Sequence, residues 1–186
     1  SNKGGDSSSV SSDLSSRVIE IFSNYNSFAA LKSDGSVVTW GESNKGGDSS
    51  SVSSDLSSGV IKIYSTDAAF AALKSDGSVI IWGAVNAPSS SVSSNLSFGV
   101  TEIFSTKNAF AALKSDGSVI TWGQIYGKNS SSVSSDLSSG VIEIFSSPNA
   151  FAALKSDGSV ITWGEHGGNS SSVSSELSSG VTKIFS

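Results

Sequence analysis

The sequence predicts an all-β repeat protein of β-propeller type, with about four antiparallel blades of roughly 41 residues and a surplus half-unit. Three observations predict it. The phrase Phe-Ala-Ala-Leu-Lys-Ser-Asp-Gly-Ser-Val starts at Phe28, Phe70, Phe110 and Phe151, at intervals of 42, 40 and 41 residues. Trp40, Trp82, Trp122 and Trp163 keep the same intervals. Short β-branched runs bounded by glycine recur in every copy, and a fixed period of this size marks a propeller, a solenoid or another array. The runner-up is a β-solenoid in which each unit makes two coils.

The second unit justifies the elements in order. Val60-Ile61-Lys62-Ile63-Tyr64 follows Gly59 and is rich in β-branched residues, so it reads as a strand. Alternation places Ile61 and Ile63 on one face, with Val60 and Tyr64 on the other. Both faces are apolar and need cover on two sides. Next come Phe70-Ala71-Ala72-Leu73 and Val79-Ile80-Ile81-Trp82, separated by Lys74-Ser75-Asp76-Gly77-Ser78. Two β-prone runs around Asp-Gly predict a hairpin, because Asp bonds the backbone ahead of it and Gly accepts positive φ. Gly35, Gly77, Gly117 and Gly158 hold this place in the four copies. The paired alanines leave room for another sheet to approach.

Each Trp is the expected anchor of its unit, since burying ~200 Å² of indole at ~25 cal/mol per Å² is worth several kcal/mol. The Gly after it marks the strand's exit. A serine-rich tract follows, such as Ser49 to Ser58, carrying Val52 and Leu56. A spacing of four fits a strand face or a helical turn; a short, irregular outer strand is the expectation. Each blade is then three strands and an irregular fourth in a meander.

Composition narrows the function classes. Hydrophobic residues make up 37% of 186 and recur at matching positions, which argues for a core despite the serine. Net charge is -5, from 11 basic and 16 acidic residues spread singly. With no basic cluster, nucleic acid is not an expected partner. There are no cysteines, which excludes disulfides and thiolate metal sites. No apolar run approaches the ~20 residues of a membrane span.

The shared pattern is a Val-x-x-Ile strand followed by Ala-Leu-x-x-Asp-Gly-x-Val-x-x-Trp-Gly. It appears as Val141-Ile142-Glu143-Ile144 and then Ala153-Leu154-Lys155-Ser156-Asp157-Gly158-Ser159-Val160-Ile161-Thr162-Trp163-Gly164. In this the chain resembles the regulator of chromosome condensation repeat family, in a short bacterial-type form. The resemblance implies a β-propeller and a binding scaffold. It departs from the family in its shorter unit, in Gly46-Gly47-Asp48-Ser49 where the family has Gly-Gln-Leu-Gly, and in Phe70 where a His is usual before Ala-Leu. The founding member's exchange-factor activity is therefore not carried over.

The organisation expected is one repeat domain over 1–186, with a half-unit 1–23 and units 24–65, 66–105, 106–146 and 147–186. The serine tract and Val-x-x-Ile segment occur five times, ending near Phe22, Tyr64, Phe104, Phe145 and Phe185, whereas the hairpin occurs four times. Ser1 to Asp6 repeats Ser43 to Asp48. These counts lead us to expect part of a longer propeller, or a protomer whose surplus half-unit pairs with another chain as a homo-oligomer or filament.

Two segments vary between copies while the rest hardly does. One precedes the hairpin: Asn24 to Ser27, Thr66 to Ala69, Thr106 to Ala109 and Ser147 to Ala150. The other follows Trp-Gly: Glu42 to Asp48, Ala84 to Pro88, Gln124 to Asn129 and Glu165 to Asn169. In a meander both leave the sheet at one end, opposite the Asp-Gly turn. Loops on a rigid scaffold commonly carry binding, so the candidate ligand face is Tyr25, Asn26, Asp67, Lys107, Asn108, Tyr126 and His166.

The chemistry of catalysis is thin. His166 is the sole histidine, and a serine nucleophile needs a positioned His and acid. Asp34, Asp76, Asp116 and Asp157 are explained by their turns. The Gly-Gly-Asp segments lack the oxygens that Ca²⁺ wants. The expectation is a non-enzyme without metal or cofactor: an extracellular or cell-surface binding or adhesion module whose partner is a protein or surface glycan.

Overall fold

The computed structural model describes residues 5–84, 90–123, 130–165 and 168–185. The chain forms two compact units, Ser1–Ala87 and Pro88–Ser186. Each contains two three-stranded antiparallel meanders of the kind found in propeller blades, and the fold class is all-β, propeller-like. Every strand pair is antiparallel within its own sheet, which removes the solenoid alternative.

In the first unit β1 (Val18–Ser23), β2 (Ser27–Lys32) and β3 (Val37–Gly41) form one sheet, in that order. The second sheet is β4 (Val60–Ser65), β5 (Ala69–Lys74) and β6 (Val79–Gly83). Its second unit repeats the pattern with β7 (Val100–Ser105), β8 (Ala109–Lys114) and β9 (Val119–Gly123), then β10 (Val141–Ser146), β11 (Ala150–Lys155) and β12 (Val160–Gly164). Each sheet thus joins a Val-x-x-Ile strand to the hairpin that follows it.

The hairpins turn as the Asp-Gly signal requires. At Lys32 to Ser36, the Gly35 N–H donates to the Lys32 carbonyl at 2.9 Å and the Lys32 N–H to the Ser36 carbonyl at 2.9 Å. Gly35, Gly77, Gly117 and Gly158 have φ of 76°, 78°, 77° and 80°, where a β-carbon is costly. The Asp34 carboxylate accepts from Ser36 N at 3.0 Å and Ser36 Oγ at 2.6 Å, and Asp76, Asp116 and Asp157 repeat the arrangement. These hydrogen bonds, from the serine side chain first, hold the four carboxyls below the usual aspartate range.

Within a unit the turn of one sheet binds the next. The Gly35 carbonyl accepts from Val60 N at 3.0 Å, and the Gly117 carbonyl from Val141 N at 3.0 Å. The alanines behave as expected. Ala29 and Leu31 of β2 share a core with Val60, Ile63, Phe70, Ala72 and Trp82, and β2 lies against β4. In the second unit Ala109, Ala111 and Val119 share a core with Val141, Ile144, Phe151, Ala153 and Trp163. The four Trp side chains are buried, each stacked on the Phe that opens its hairpin at 5.2–5.3 Å between ring centroids.

Three expectations are corrected. First, Ile61 and Ile63 do not share a face. The register runs Val60↔Lys74 and then Lys62↔Leu73, so Ile61 is an extra residue, a β-bulge. The bulge resets the alternation: Val60 and Ile63 are buried while Ile61 is 56% exposed.

Second, the serine tract makes no outer strand among the described residues. It forms short helical turns, including Ser8–Val10, Ser50–Val52, Ser130–Val133 and Ser171–Val173, and one α-helical turn, Ser90–Asn95. Serine hydroxyls bond carbonyls three residues back, as Ser57 Oγ does to Ser54 O at 2.7 Å, a local satisfaction that competes with a strand ladder. Leu56, Leu96 and Leu137 are buried by the turn.

Third, the fifth Val-x-x-Ile copy is not a strand. Val181 N donates to the Gly158 carbonyl at 2.9 Å, but residues 181–185 join no sheet and Phe185 is 83% exposed.

Candidate functional site

The variable segments converge as a meander dictates, and backbone hydrogen bonds tie them in pairs. Glu42 N donates to the Asn26 carbonyl at 2.9 Å, Ala84 N to Ala68 at 2.9 Å, and Glu165 N to Asn149 at 2.8 Å. The segment before each hairpin and the segment after Trp-Gly are therefore one surface at one end of the sheet, and the Asp-Gly turns lie at the other.

In the first sheet Asn24 organises this end. Its Oδ1 accepts from Asn26 N at 3.0 Å and Ser27 N at 2.8 Å, while its Nδ2 donates to the Lys45 carbonyl at 2.7 Å. Asn26 Nδ2 donates to the Glu42 carboxylate, and Ser27 Oγ to the Glu42 carbonyl at 2.9 Å. Thr106 plays the Asn24 role in the third sheet, accepting from Asn108 N at 3.4 Å and Ala109 N at 3.1 Å. Thr66 and Ser147 do so in the second and fourth. Asn, Thr and Ser all accept from the backbone ahead of them. That shared chemistry, at one position in four otherwise different segments, is the signal by which these residues could have been found.

The predicted residues divide as follows. Tyr25 sits at the tip of its turn, 76% exposed, with Asn26 beside it and pinned to Glu42. Asp67, half-buried, occupies the equivalent turn of the second sheet, and Ser65 Oγ bonds the Ser23 carbonyl at 2.9 Å between these two ends. Lys107 and Asn108 are exposed on the third sheet's turn, where Lys107 N donates to the Pro148 carbonyl at 2.9 Å. Tyr126 and His166 lie outside the described residues. Glu42 and Lys45 belong with Tyr25 and Asn26 but were not singled out by sequence.

Among the described residues, no three His, Cys, Asp or Glu side chains gather as a metal site, and no helix is long and apolar enough to cross a membrane.

No protein-family model matches the chain, and no curated protein matches its sequence. Solved structures do match in fold. One is yeast RCC1 (Prp20) bound to Kap60, with a TM-score of 0.54 and 19% identity over 79% of this chain and 43% of that one. A second Prp20p structure from Saccharomyces cerevisiae gives the same score over 79% and 44%. A third is the CRINKLY WD40 ectodomain of the Arabidopsis thaliana receptor kinase ACR4, with 0.51 and 18% identity over 80% and 51%. The chain spans about half or less of these structures. At these identities the likeness concerns the fold alone, which is propeller-like.

Proposed function

We propose that this chain is a non-enzymatic recognition scaffold that binds a protein or surface-glycan partner through its variable loop end. One observation carries the proposal: the loops are anchored to an invariant frame by the same backbone hydrogen bond in three sheets, while their side chains differ. A rigid frame with variable loops lowers the entropy that binding costs. Protein binding is consistent with the fold's known members: yeast RCC1 is bound to Kap60 in one structure, and Prp20p is described with binding to Gsp1p and histones. An extracellular, adhesive role is the setting we propose for it. The test is a variant in which the Thr66 to Ala69 turn and its partner loop are grafted into all four positions. Binding on protein and glycan arrays should be lost or altered, and an unchanged profile would remove the proposal.

Self-assembly into a ring or filament through the surplus half-unit is the second reading, favoured by β1, an edge strand of its sheet that carries the exposed Ile19 and Ile21. Sedimentation across a concentration series distinguishes the two, because assembly predicts a mass that rises with concentration and recognition does not.

A further inference from the structure

At the Asp-Gly end, opposite the variable loops, one lysine departs from its counterparts. Lys32, Lys74 and Lys155 donate their Nζ to the carbonyls of Asp13, Asp55 and Asp136 at 3.0, 2.8 and 2.9 Å. Lys114 does not. In its tract Asn95 stands where the tracts bound by those three lysines have Asp, and Phe98 where they have Ser. Its Nζ lies 4.2 Å from the Phe98 ring centroid, a contact that holds an ammonium without using its hydrogen-bond donors. Lys114 is 8% exposed, the most buried lysine of the described residues, and Phe98 is 62% exposed.

Lys114 lines a cleft of about 710 Å³ in the second unit, within the size range of small-molecule sites. Val92 and Ile120, both half-buried, line it together with the buried Val119 and Leu137. Asp116 also lines it. The Asp116 carboxyl is held below the usual range by Ser118 first, with the Lys114 ammonium adding to the effect, so opposite charges share this wall. They form no direct ion pair.

We propose that this cleft binds a zwitterion with an aliphatic body, its carboxylate on Lys114, its ammonium on Asp116 and its side chain against Val92 and Ile120. A free aliphatic amino acid and a short aliphatic peptide share this chemistry. The inference does not depend on the variable loops, which lie at the other end of each sheet.

Calorimetric titration of the whole chain with leucine and with leucyl-leucine tests it, beside isocaproate, which lacks the ammonium, and isoamylamine, which lacks the carboxylate. At least one zwitterion should bind saturably, with each single-charge analogue weaker by roughly tenfold or more, the usual worth of a charged hydrogen bond. Tighter binding of leucine assigns the site to amino acids, and of leucyl-leucine to peptides. Lys114→Met and Asp116→Asn should each weaken the zwitterion by a similar factor. Phe98→Ser, which recreates the exposed residue of the other tracts, should weaken carboxylate binding severalfold by freeing the ammonium for the Asn95 carbonyl. Absence of saturable binding by both zwitterions overturns the proposal. So does equal binding of the single-charge analogues, or indifference to Lys114→Met in a folded variant.

Discussion

Gly117 should cost more to replace than Gly140 or Gly180, for a reason that can be separated from its backbone conformation. These three share nearly one φ: Gly117 at 77°, Gly140 at 78° and Gly180 at 76°. Their surroundings differ. A β-carbon at Gly180 would meet nothing within 4 Å, and one at Gly140 would meet the Lys155 Cε at 3.4 Å, the end of a flexible chain. At Gly117 it would meet the Gly140 backbone nitrogen at 2.9 Å and the Val141 carbonyl oxygen at 3.2 Å. Alanine pays about 1–2 kcal/mol for the left-handed conformation and recovers about 0.4–1 kcal/mol from the stiffer unfolded chain. Gly180→Ala and Gly140→Ala should therefore each cost about 1 kcal/mol.

Gly117→Ala adds a clash between backbones. Restoring ordinary contact requires the neighbouring sheet to retreat by about 0.6 Å, which weakens the Val141 N–H bond to the Gly117 carbonyl. With a hydrogen bond worth about 1 kcal/mol net, the total should reach about 2–3 kcal/mol. Urea unfolding followed by far-ultraviolet circular dichroism measures all three variants. Equal costs at Gly117 and Gly140 would refute the idea that turn-to-turn approach sets the sheet spacing.

Two further outcomes follow from the side chains. Trp82 Nε1 donates to the Gly46 carbonyl at 3.0 Å, whereas the buried Trp122 Nε1 has no hydrogen-bond partner among the described residues; Trp82→Phe should therefore destabilise more than Trp122→Phe by about 1–3 kcal/mol, and equal losses in denaturant unfolding would remove the role given to that bond. Asp34, Asp76, Asp116 and Asp157 have folded-state carboxyls that titrate below their unfolded value, so their contribution is present above about pH 4 and is lost as pH falls through the folded value. The urea midpoint should be flat from neutral pH to about pH 5 and fall below that, less steeply when all four are replaced by Asn; an unchanged slope in that variant would place the acid sensitivity elsewhere.

The hairpins, tryptophan anchors and turn glycines were legible because each is fixed by local chemistry: Asp-Gly sets the turn, and the indole has to be buried. Ile61 was misplaced because a bulge is a property of two strands in register, and alternation along one strand carries no trace of it. The serine tract was ambiguous because Val52 and Leu56 are four apart in either geometry. What decides is the hydroxyl-to-carbonyl bonding seen at Ser57 and the burial of Leu56. At the loop end, the position of the variable segments followed from the meander. The roles of Asn24, Glu42 and Lys45 did not, because they depend on which backbone groups the turn leaves within reach.

At Arg17 the chain carries a side chain at φ 66°, where Gly59, Gly99, Gly140 and Gly180 stand in the other copies, and its guanidinium rests 3.5 Å from the Asp34 carboxylate. Because neighbouring sheets of a unit meet through a main-chain hydrogen bond and a side-chain core whose residues recur in each copy, a gene rearrangement that adds or drops a whole copy presents the same socket to its new neighbour. The number of copies can then drift across generations while the tips diversify independently, as vocabulary changes within a fixed grammar.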